Sequence, residues 1–333
     1  MLKEAISSIA GGRTLSREAA RTVFSCIMSG EAQESQVAAL LMGLAVRGET
    51  VEEIAGGADA LRAHATPVRA GADVIDTCGT GGDGLSTFNI STAAAIVAAA
   101  AGVPVAKHGN RAVSSKSGSA DVLERLGIAL DSDPERVARS IETLGIGFLM
   151  APRHHSAMRH VAPVRAALGI RTIFNLLGPL SNPAHARYQL IGVFGSRWLR
   201  PMAEALALLG SERAWVVHGS DGLDEITISG ESHVIALEHG ELREFSVHPE
   251  DAGLPCHSLD TIIGGDADLN ARALRALLEG VGGPYRDVVL LNSAAALIVG
   301  GRAATLREGA ERAAEAIDSG AALRLLEAWR DFV

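Results

Sequence analysis

Apolar residues return at helical intervals over the first seventy or so positions of the chain. Leu2, Ile6 and Ile9 lie three or four apart, and Ala20, Val23, Phe24 and Ile27 form the apolar stripe of a second helix. Ser16 stands where that helix needs an N-cap, and Gly30 where it must stop. A third helix is predicted from about Ser35 to Val46. Thr50-Val51-Glu52-Glu53 then reads as a capping box, the Thr50 hydroxyl and the Glu53 carboxylate each satisfying an orphaned backbone N–H. No strand pattern occurs before Asp73.

From Asp73 the texture changes. Val74-Ile75-Asp76-Thr77 is predicted as a short strand running into a glycine-rich loop, and Asn89 to Ala101 as a small-residue helix. Val103-Pro104-Val105-Ala106 is extended, followed by a polar loop and a helix from about Ser119 to Leu126. Asp133-Pro134 supplies an N-cap and a proline at the first helical position, opening a helix that ends near Gly145. Strands are predicted at Gly147–Met150, Gln189–Phe194 and Ala214–His218, with a helix over Leu199–Leu209. Ile226–Ile228, Ser232–Leu237 and Leu242–Ser246 read as shorter strands or a hairpin, and the tail from about Asn270 is helical. This alternation predicts an α/β fold with a mainly parallel central sheet flanked by helices.

The expected organisation is a small N-terminal α-helical domain, residues 1–70, followed by a large α/β domain, residues 71–333. The boundary is a composition shift at Ala70-Gly71-Ala72 and not a long linker, so the two are expected to pack together. Part of 163–185, chiefly Pro163 to Pro183, has no place in the strand–helix alternation and is expected to cross back to the helical domain. No internal repeat, low-complexity tract or charge block interrupts the chain.

Composition narrows the function classes. With 333 residues and 47% hydrophobic content, the chain can bury a sizeable core. Aromatics at only 4% favour helices packed through small side chains over an all-β sandwich. A net charge of −9 argues against nucleic acid or an anionic membrane as partner. An anionic substrate would require the positive groups to be concentrated locally. Cys26, Cys78 and Cys256 have neither metal-ligand spacing nor a disulfide framework. The first residues lack the apolar run of a signal peptide, and the run near Ala93–Ala101 falls well short of the ~20 residues of a membrane span, so a cytoplasmic protein is expected.

Four polar segments stand out, three of them following predicted strands and one opening the small-residue helix. The first is Asp76-Thr77-Cys78-Gly79-Thr80-Gly81-Gly82-Asp83-Gly84. Ligands of parallel sheets sit beyond the carboxyl ends of strands, where glycines let backbone N–H groups approach a phosphate. Glycines alone are equally compatible with a connection that holds nothing. The segment lacks a Walker ending and the dinucleotide spacing. The second, Thr87-Phe88-Asn89-Ile90-Ser91-Thr92, carries more hydroxyl and amide groups than helix capping requires, and these suit phosphate oxygens or a metal ion. The third runs from Lys107-His108-Gly109-Asn110-Arg111 to Asp121 and gathers three cations, two glycines and four serines. A solvated basic loop is its plainer reading. The fourth, His218-Gly219-Ser220-Asp221-Gly222-Leu223-Asp224-Glu225, ends in two acids suited to magnesium shared with substrate phosphates. Adjacent acids are otherwise ordinary surface charge. Together the segments describe a polyphosphate–magnesium site at several strand ends. His154 and His155 are candidate acid–base groups whose plainer reading is structural or surface histidine.

The set Asp-Thr-Cys-Gly-Thr-Gly-Gly-Asp, Thr-Phe-Asn-Ile-Ser-Thr, Lys-His-Gly-Asn-Arg-Ala-Val-Ser-Ser and Asp-Gly-Leu-Asp-Glu resembles the anthranilate phosphoribosyltransferases of tryptophan biosynthesis. Ala162-Pro163-Val164-Arg165 and Arg171-Thr172-Ile173-Phe174-Asn175-Leu176-Leu177-Gly178-Pro179-Leu180 extend the resemblance to nearly the whole chain. The resemblance implies a magnesium-dependent homodimer with its active site in a cleft between the domains. It implies phosphoribosyl diphosphate binding by Gly79, Gly82, Asp83, Thr87, Asn89, Ile90, Ser91 and Thr92. It extends that site along a flexible loop, Lys107, His108, Gly109, Asn110, Arg111, Ala112, Val113, Ser114 and Ser115, with Ser119 beyond it. Anthranilate contacts fall on Gly79, Asn110 and Arg165, and Mg2+ ligands on Ser91, Asp224 and Glu225. No acid–base residue is assigned. One departure from the family pattern is Ser156 after His155, where proline is expected. Two rivals remain at this level. A pyrimidine-nucleoside phosphorylase of similar fold is disfavoured by Asn110-Arg111 and Asp224-Glu225. A non-catalytic, nucleic-acid-binding paralogue is disfavoured by the net charge and the intact ligand set.

Overall fold

The computed structural model describes residues 1–112 and 116–332; Val113, Ser114 and Ser115 of the basic loop lie outside the described residues. Four helices come first, α1 (Leu2–Ala10), α2 (Arg17–Met28), α3 (Glu34–Arg47) and α4 (Val51–Ala63). Their ends follow local chemistry. The Ser16 side chain accepts from the Ala19 N–H, and the capping box joins Thr50 and Glu53, whose carboxylate accepts the Thr50 N–H at 2.9 Å.

The alternating part follows as β1 (Ile75–Gly79), α5 (Ile90–Ala100), β2 (Val105–Gly109), α6 (Ser119–Arg125), α7 (Pro134–Leu144) and β3 (Ile146–Met150). Short helices α8 (Ala151–His154), α9 (Ala162–Leu168) and α10 (Ile173–Leu177) lead to β4 (Tyr188–Gly192), α11 (Leu199–Leu208) and β5 (Arg213–Gly219). A hairpin of β6 (Ser232–Glu238) and β7 (Glu241–Val247) follows, then α12 (Ala267–Leu278), α13 (Pro284–Val299), α14 (Leu306–Asp318) and α15 (Ala321–Arg330). Its turn, His239-Gly240, has φ of +50° and +86°, the left-handed pair that matches the twist of a two-residue hairpin.

The sheet runs β3-β2-β1-β4-β5-β6-β7; the β3 to β5 part is parallel and β6 and β7 are antiparallel. Strand order reverses direction between β1 and β4, where Gly79 pairs with Gly192 at the carboxyl ends. That is the switch point at which a parallel sheet opens a ligand crevice.

Period-two alternation sends Trp215 and Val217 to one face and Ala214 and Val216 to the other. The first face packs on α5 and α12 to α15. On the second, Ile191, Val193, Val216 and Ile235 share a core with Phe24, Leu40 and Leu44 of the N-terminal helices and with Val164, Phe174 and Leu177. A small third cluster links Val68, Ala106, Ile141 and Leu149. No helix among the described residues is long and apolar enough to cross a membrane.

Two local expectations are corrected. Ile226–Ile228 is not a strand. Its backbone is satisfied by side chains: Asn292 receives the Ile226 N–H at 3.0 Å and donates to its carbonyl at 2.8 Å, and Ser232 receives the Thr227 N–H at 2.9 Å. Lys107, His108 and Gly109 belong to β2 itself, because pairing with β3 continues to Met150. Asn89 occupies the N-cap position of α5, but its side chain is drawn away, donating to the Ser117 carbonyl at 3.3 Å and accepting from Asn270 at 2.9 Å.

Candidate active site

The loop after β1 turns through glycines in the left-handed region, Gly81 at φ +67°, Gly82 at +79° and Gly84 at +82°. Successive N–H groups in such a turn form an anion-binding concavity. Its near end is tied to β4 by the Thr80 N–H on the Gly192 carbonyl at 2.9 Å, and by the Thr80 hydroxyl accepting the Phe194 N–H at 2.9 Å. Its far end is pinned by a bridge between Thr87 and Ile263. From the α9–α10 connection, Arg171 stacks over the Phe194 ring at 4.6 Å and donates to the Gly82 carbonyl at 3.1 Å.

Facing this turn is the acid pair. Asp224 accepts the Gly81 N–H at 2.7 Å, and Glu225 accepts the Ser91 N–H at 3.2 Å at the start of α5. Lys107 reaches in from β2; its ammonium donates to the Thr77 carbonyl and to the Ser91 hydroxyl, the latter at 3.3 Å. Two hydrogen-bonded sets result, Thr77–Lys107–Ser91–Glu225 and Gly81–Asp224, brought side by side because Asp224 and Glu225 are consecutive.

Burial dominates its electrostatics. Asp224 is held well above the usual carboxylate range by desolvation, then by the nearby Asp83 and Glu225 charges. Burial pushes Glu225 up to about 7 against the pull of Lys107 and the Ser91 bonds. The same desolvation lowers Lys107, against the opposing attraction of Asp76, Cys78 and Glu225. Hard oxygen donors crowded at this negative potential fit a divalent cation. Among the described residues no group of three or more His, Cys, Asp or Glu is arranged to hold a metal, so a cation here would complete its shell from water or ligand oxygens. Magnesium usually binds in that way.

The remaining predicted residues are less concentrated. Arg111 does not point its charge into either set: it pairs with Glu124 at 2.8 Å and Asp121 at 3.2 Å, both on α6. Asp121 also receives the Ala112 and Gly118 N–H groups, each at 2.9 Å, stapling both sides of the loop. Asn110 is exposed, and Ser119 donates to its carbonyl at 3.3 Å. The His108 ring lies 5.1 Å from that of His155. Burial lowers both, His155 to about 4, and His154 is bonded to the Thr66 carbonyl at 2.9 Å. Arg165, on α9, is half-buried over the Phe174 ring at 5.6 Å, with no acidic partner among the described residues. Desolvation alone lowers its pKa. It is not hydrogen-bonded to the Lys107 or the Asp224 set.

Sequence comparison places this geometry. Residues 71–323 match the glycosyl transferase family a/b domain, and residues 3–65 the helical bundle domain of the same family. The anthranilate phosphoribosyltransferase of Parvibaculum lavamentivorans is 60% identical over 97% of this chain and 95% of its own length. That of Rhodospirillum rubrum is 59% identical, covering 96% and 92%. The chain belongs to the anthranilate phosphoribosyltransferase family.

Solved anthranilate phosphoribosyltransferases superpose closely on it. That of Thermus thermophilus gives a TM-score of 0.94 at 48% identity, covering 98% of each chain. The Saccharomyces cerevisiae enzyme, in complex with PRPP and Mg, gives 0.91 at 32% identity, covering 99% and 97%.

Within this family frame, several contributors escaped the sequence reading. Asp76 is fully buried; desolvation raises it to about 6, opposed by Lys107, by the Asn182 amide at 2.8 Å and by the His108 N–H at 3.0 Å. An acid inside an apolar strand is costly enough to have signalled a role. Gly192 is the second. A Cβ there would overlap the Asp224 backbone carbonyl, so the acid pair rests on a bare Cα of β4. Tyr285, whose hydroxyl meets the Asn89 carbonyl at 3.4 Å, comes from α13 and had no local signal.

Proposed function

We infer that the chain transfers the phosphoribosyl group of phosphoribosyl diphosphate to the amine of anthranilate, releasing pyrophosphate, in tryptophan biosynthesis. The observation that carries this reading is the convergence of Gly81, Ser91, Lys107, Asp224 and Glu225 at the carboxyl edge of the sheet.

Anthranilate's amine is neutral at pH 7 and needs no strong base to attack. The difficulty is departure of a highly charged leaving group while positive charge grows on the ribose. Ser91, Asp224 and Glu225 would hold Mg2+, which when bound stabilises charge developing on the pyrophosphate. The turn Gly79, Gly82 and Asp83, with Thr87, presents donors to the diphosphate. Asn89, Ile90, Ser91 and Thr92 place the start of α5 against the phosphoribosyl group, and Lys107 adds positive charge from β2. Fixing both reactants lowers the barrier by orientation. His108 and Gly109 at the end of β2, with Asn110, Arg111, Ala112 and Ser119 beyond it, extend the phosphoribosyl diphosphate site of this reading; Asn110 orients anthranilate, and Arg165, desolvated and with no acidic partner among the described residues, pairs with its carboxylate.

Residues 1–70, with part of 163–185, form the helical domain of this reading, and residues 71–333 the α/β domain. The working form is a cytoplasmic homodimer that binds neither nucleic acid nor membrane.

The test follows the fluorescence of anthranilate with phosphoribosyl diphosphate and Mg2+. Loss of signal that stops when the metal is chelated supports the reading. Phosphorolysis of thymidine with no consumption of anthranilate overturns it in favour of a nucleoside phosphorylase.

A further inference from the structure

Asp224 and Glu225 sit in a connection without regular structure between β5 and β6, yet they have to keep a fixed separation from Ser91 and Gly81. Something other than a strand ladder must hold them. On the near side, Asp221 accepts the Leu223 N–H at 3.2 Å with one carboxylate oxygen. Its other oxygen receives the Thr227 hydroxyl at 2.5 Å and the Ser229 hydroxyl at 2.6 Å. The Thr227 hydroxyl in turn accepts the Ser229 N–H at 3.0 Å. One side chain therefore joins the residue before the acid pair to residues two and four beyond it. On the far side Asn292, fully buried in α13, brackets the Ile226 peptide groups through both ends of its amide. Below, the pair rests on Gly192.

We propose that Asp221, acting with Asn292, is a positioning residue that clamps the Asp224–Glu225 turn in its cation-holding geometry. The inference rests on the reading of Asp224 and Glu225 as Mg2+ ligands. Asp221 touches no reacting atom. Its carboxylate is committed to three donors on its own loop, and Gly219, whose Cβ would meet Asp221 at 2.6 Å, leaves it room. Partners that orient metal ligands typically contribute about 10–100-fold in metal affinity or activity.

The experiment uses the full chain with Mn2+ as probe, in the presence of inorganic pyrophosphate, counting free Mn2+ by electron paramagnetic resonance. Asp221→Ala and Thr227→Val are expected to weaken Mn2+ binding by roughly 10-fold or more. Thr227→Ser, which keeps the hydroxyl, should restore it. In the fluorescence assay the Mg2+ midpoint of Asp221→Ala should rise by a similar factor, while KM for anthranilate stays unchanged. Should Asp221→Ala fail to fold, the contrast between Thr227→Val and Thr227→Ser carries the test alone. Wild-type Mn2+ affinity in Asp221→Ala and Thr227→Val, alongside lost binding in Asp224→Ala, overturns the clamp and leaves the acid pair standing. Unchanged binding in Asp224→Ala overturns the metal reading itself.

Discussion

Glu225 can be tested through its proton. Its carboxyl is raised to about 7 by burial, so at slightly acid pH the folded chain holds a proton that the unfolded chain has lost. This group therefore makes the metal-free protein less stable as pH rises from the ordinary carboxylate range to about 7, and has no further effect above that. A divalent cation needs the ionised form, so Mg2+ uptake in the presence of pyrophosphate should expel protons at about pH 6.5. Calorimetry in buffers of differing ionisation enthalpy reads that release, and Glu225→Gln should release fewer; equal release by both proteins would count against Glu225 as ligand. Arg165 makes a second residue-scale case. A desolvated guanidinium with no acidic partner among the described residues is prepared for a carboxylate ligand. Arg165→Ala is expected to raise KM for anthranilate at least about tenfold, as losing a charge-assisted pair of about 1.5–3 kcal/mol implies, and to leave KM for phosphoribosyl diphosphate nearly unchanged. Similar rises in both constants would remove Arg165 from the anthranilate site. Asp224 and Glu225 could be picked out as a pair from a compact motif after a strand, and the structure does place them together against Gly81 and Ser91; Arg165 is named only through the family resemblance. The pairing of Arg111 with Asp121 and Glu124 could not be picked out, since it depends on α6 folding back over ten or more residues.

At the scale of elements, what was legible was what local chemistry decides. The caps at Ser16, Thr50 and Asp133 act within three residues, and each appears where the sequence placed it. Thr50→Ala should accordingly lower stability by about 1 kcal/mol without changing catalysis, measured by denaturant unfolding beside the fluorescence assay. A loss of activity at full folding would mean that α4 does more than pack. Illegible elements are those decided at a distance. Ile226–Ile228 has the apolar, β-branched look of a strand, but its peptide groups are taken by Asn292, which lies far along the chain in α13. The ends of β2 were equally hidden, because Lys107 looks like a loop cation until pairing with β3 carries it into the sheet. Gly192 joins the two scales. Gly192→Ala would drive a methyl into the Asp224 carbonyl, which as backbone cannot swing aside. Overpacking of this kind costs about 1–3 kcal/mol, and relief requires the acid turn to move. The expected result is a folded protein with a raised Mg2+ requirement; unaltered metal dependence would show that Asp224 tolerates displacement.

The whole molecule raises the question of whether two family domains mean two folding units. The alternation of strands and helices was readable from residue 73 onward, and the composition shift near residue 70 marked a change of architecture. That the two parts pack together was expected from the short boundary, but the residues that build the shared core were not readable, because that core arises only when the sheet exists to present a face. Phe24, Leu40 and Leu44 share a cluster with Ile191, Val216 and Ile235, and Phe24 meets Phe174 edge-on at 5.7 Å. Polar ties cross the same junction: Arg62 donates to the Leu180 carbonyl at 2.7 Å, and Arg17 to that of Leu208 at 2.9 Å. Domains that merely touch unfold separately, whereas a shared apolar core couples them. Thermal unfolding of the full chain should therefore give one transition whose calorimetric and van't Hoff enthalpies agree. Removal of residues 1–70 should leave a sheet face bare and an aggregating product. Two resolved transitions, or a soluble and cooperatively folded 71–333 fragment, would mean that the shared cluster contributes little and that the helices are an appendage to a self-sufficient α/β fold.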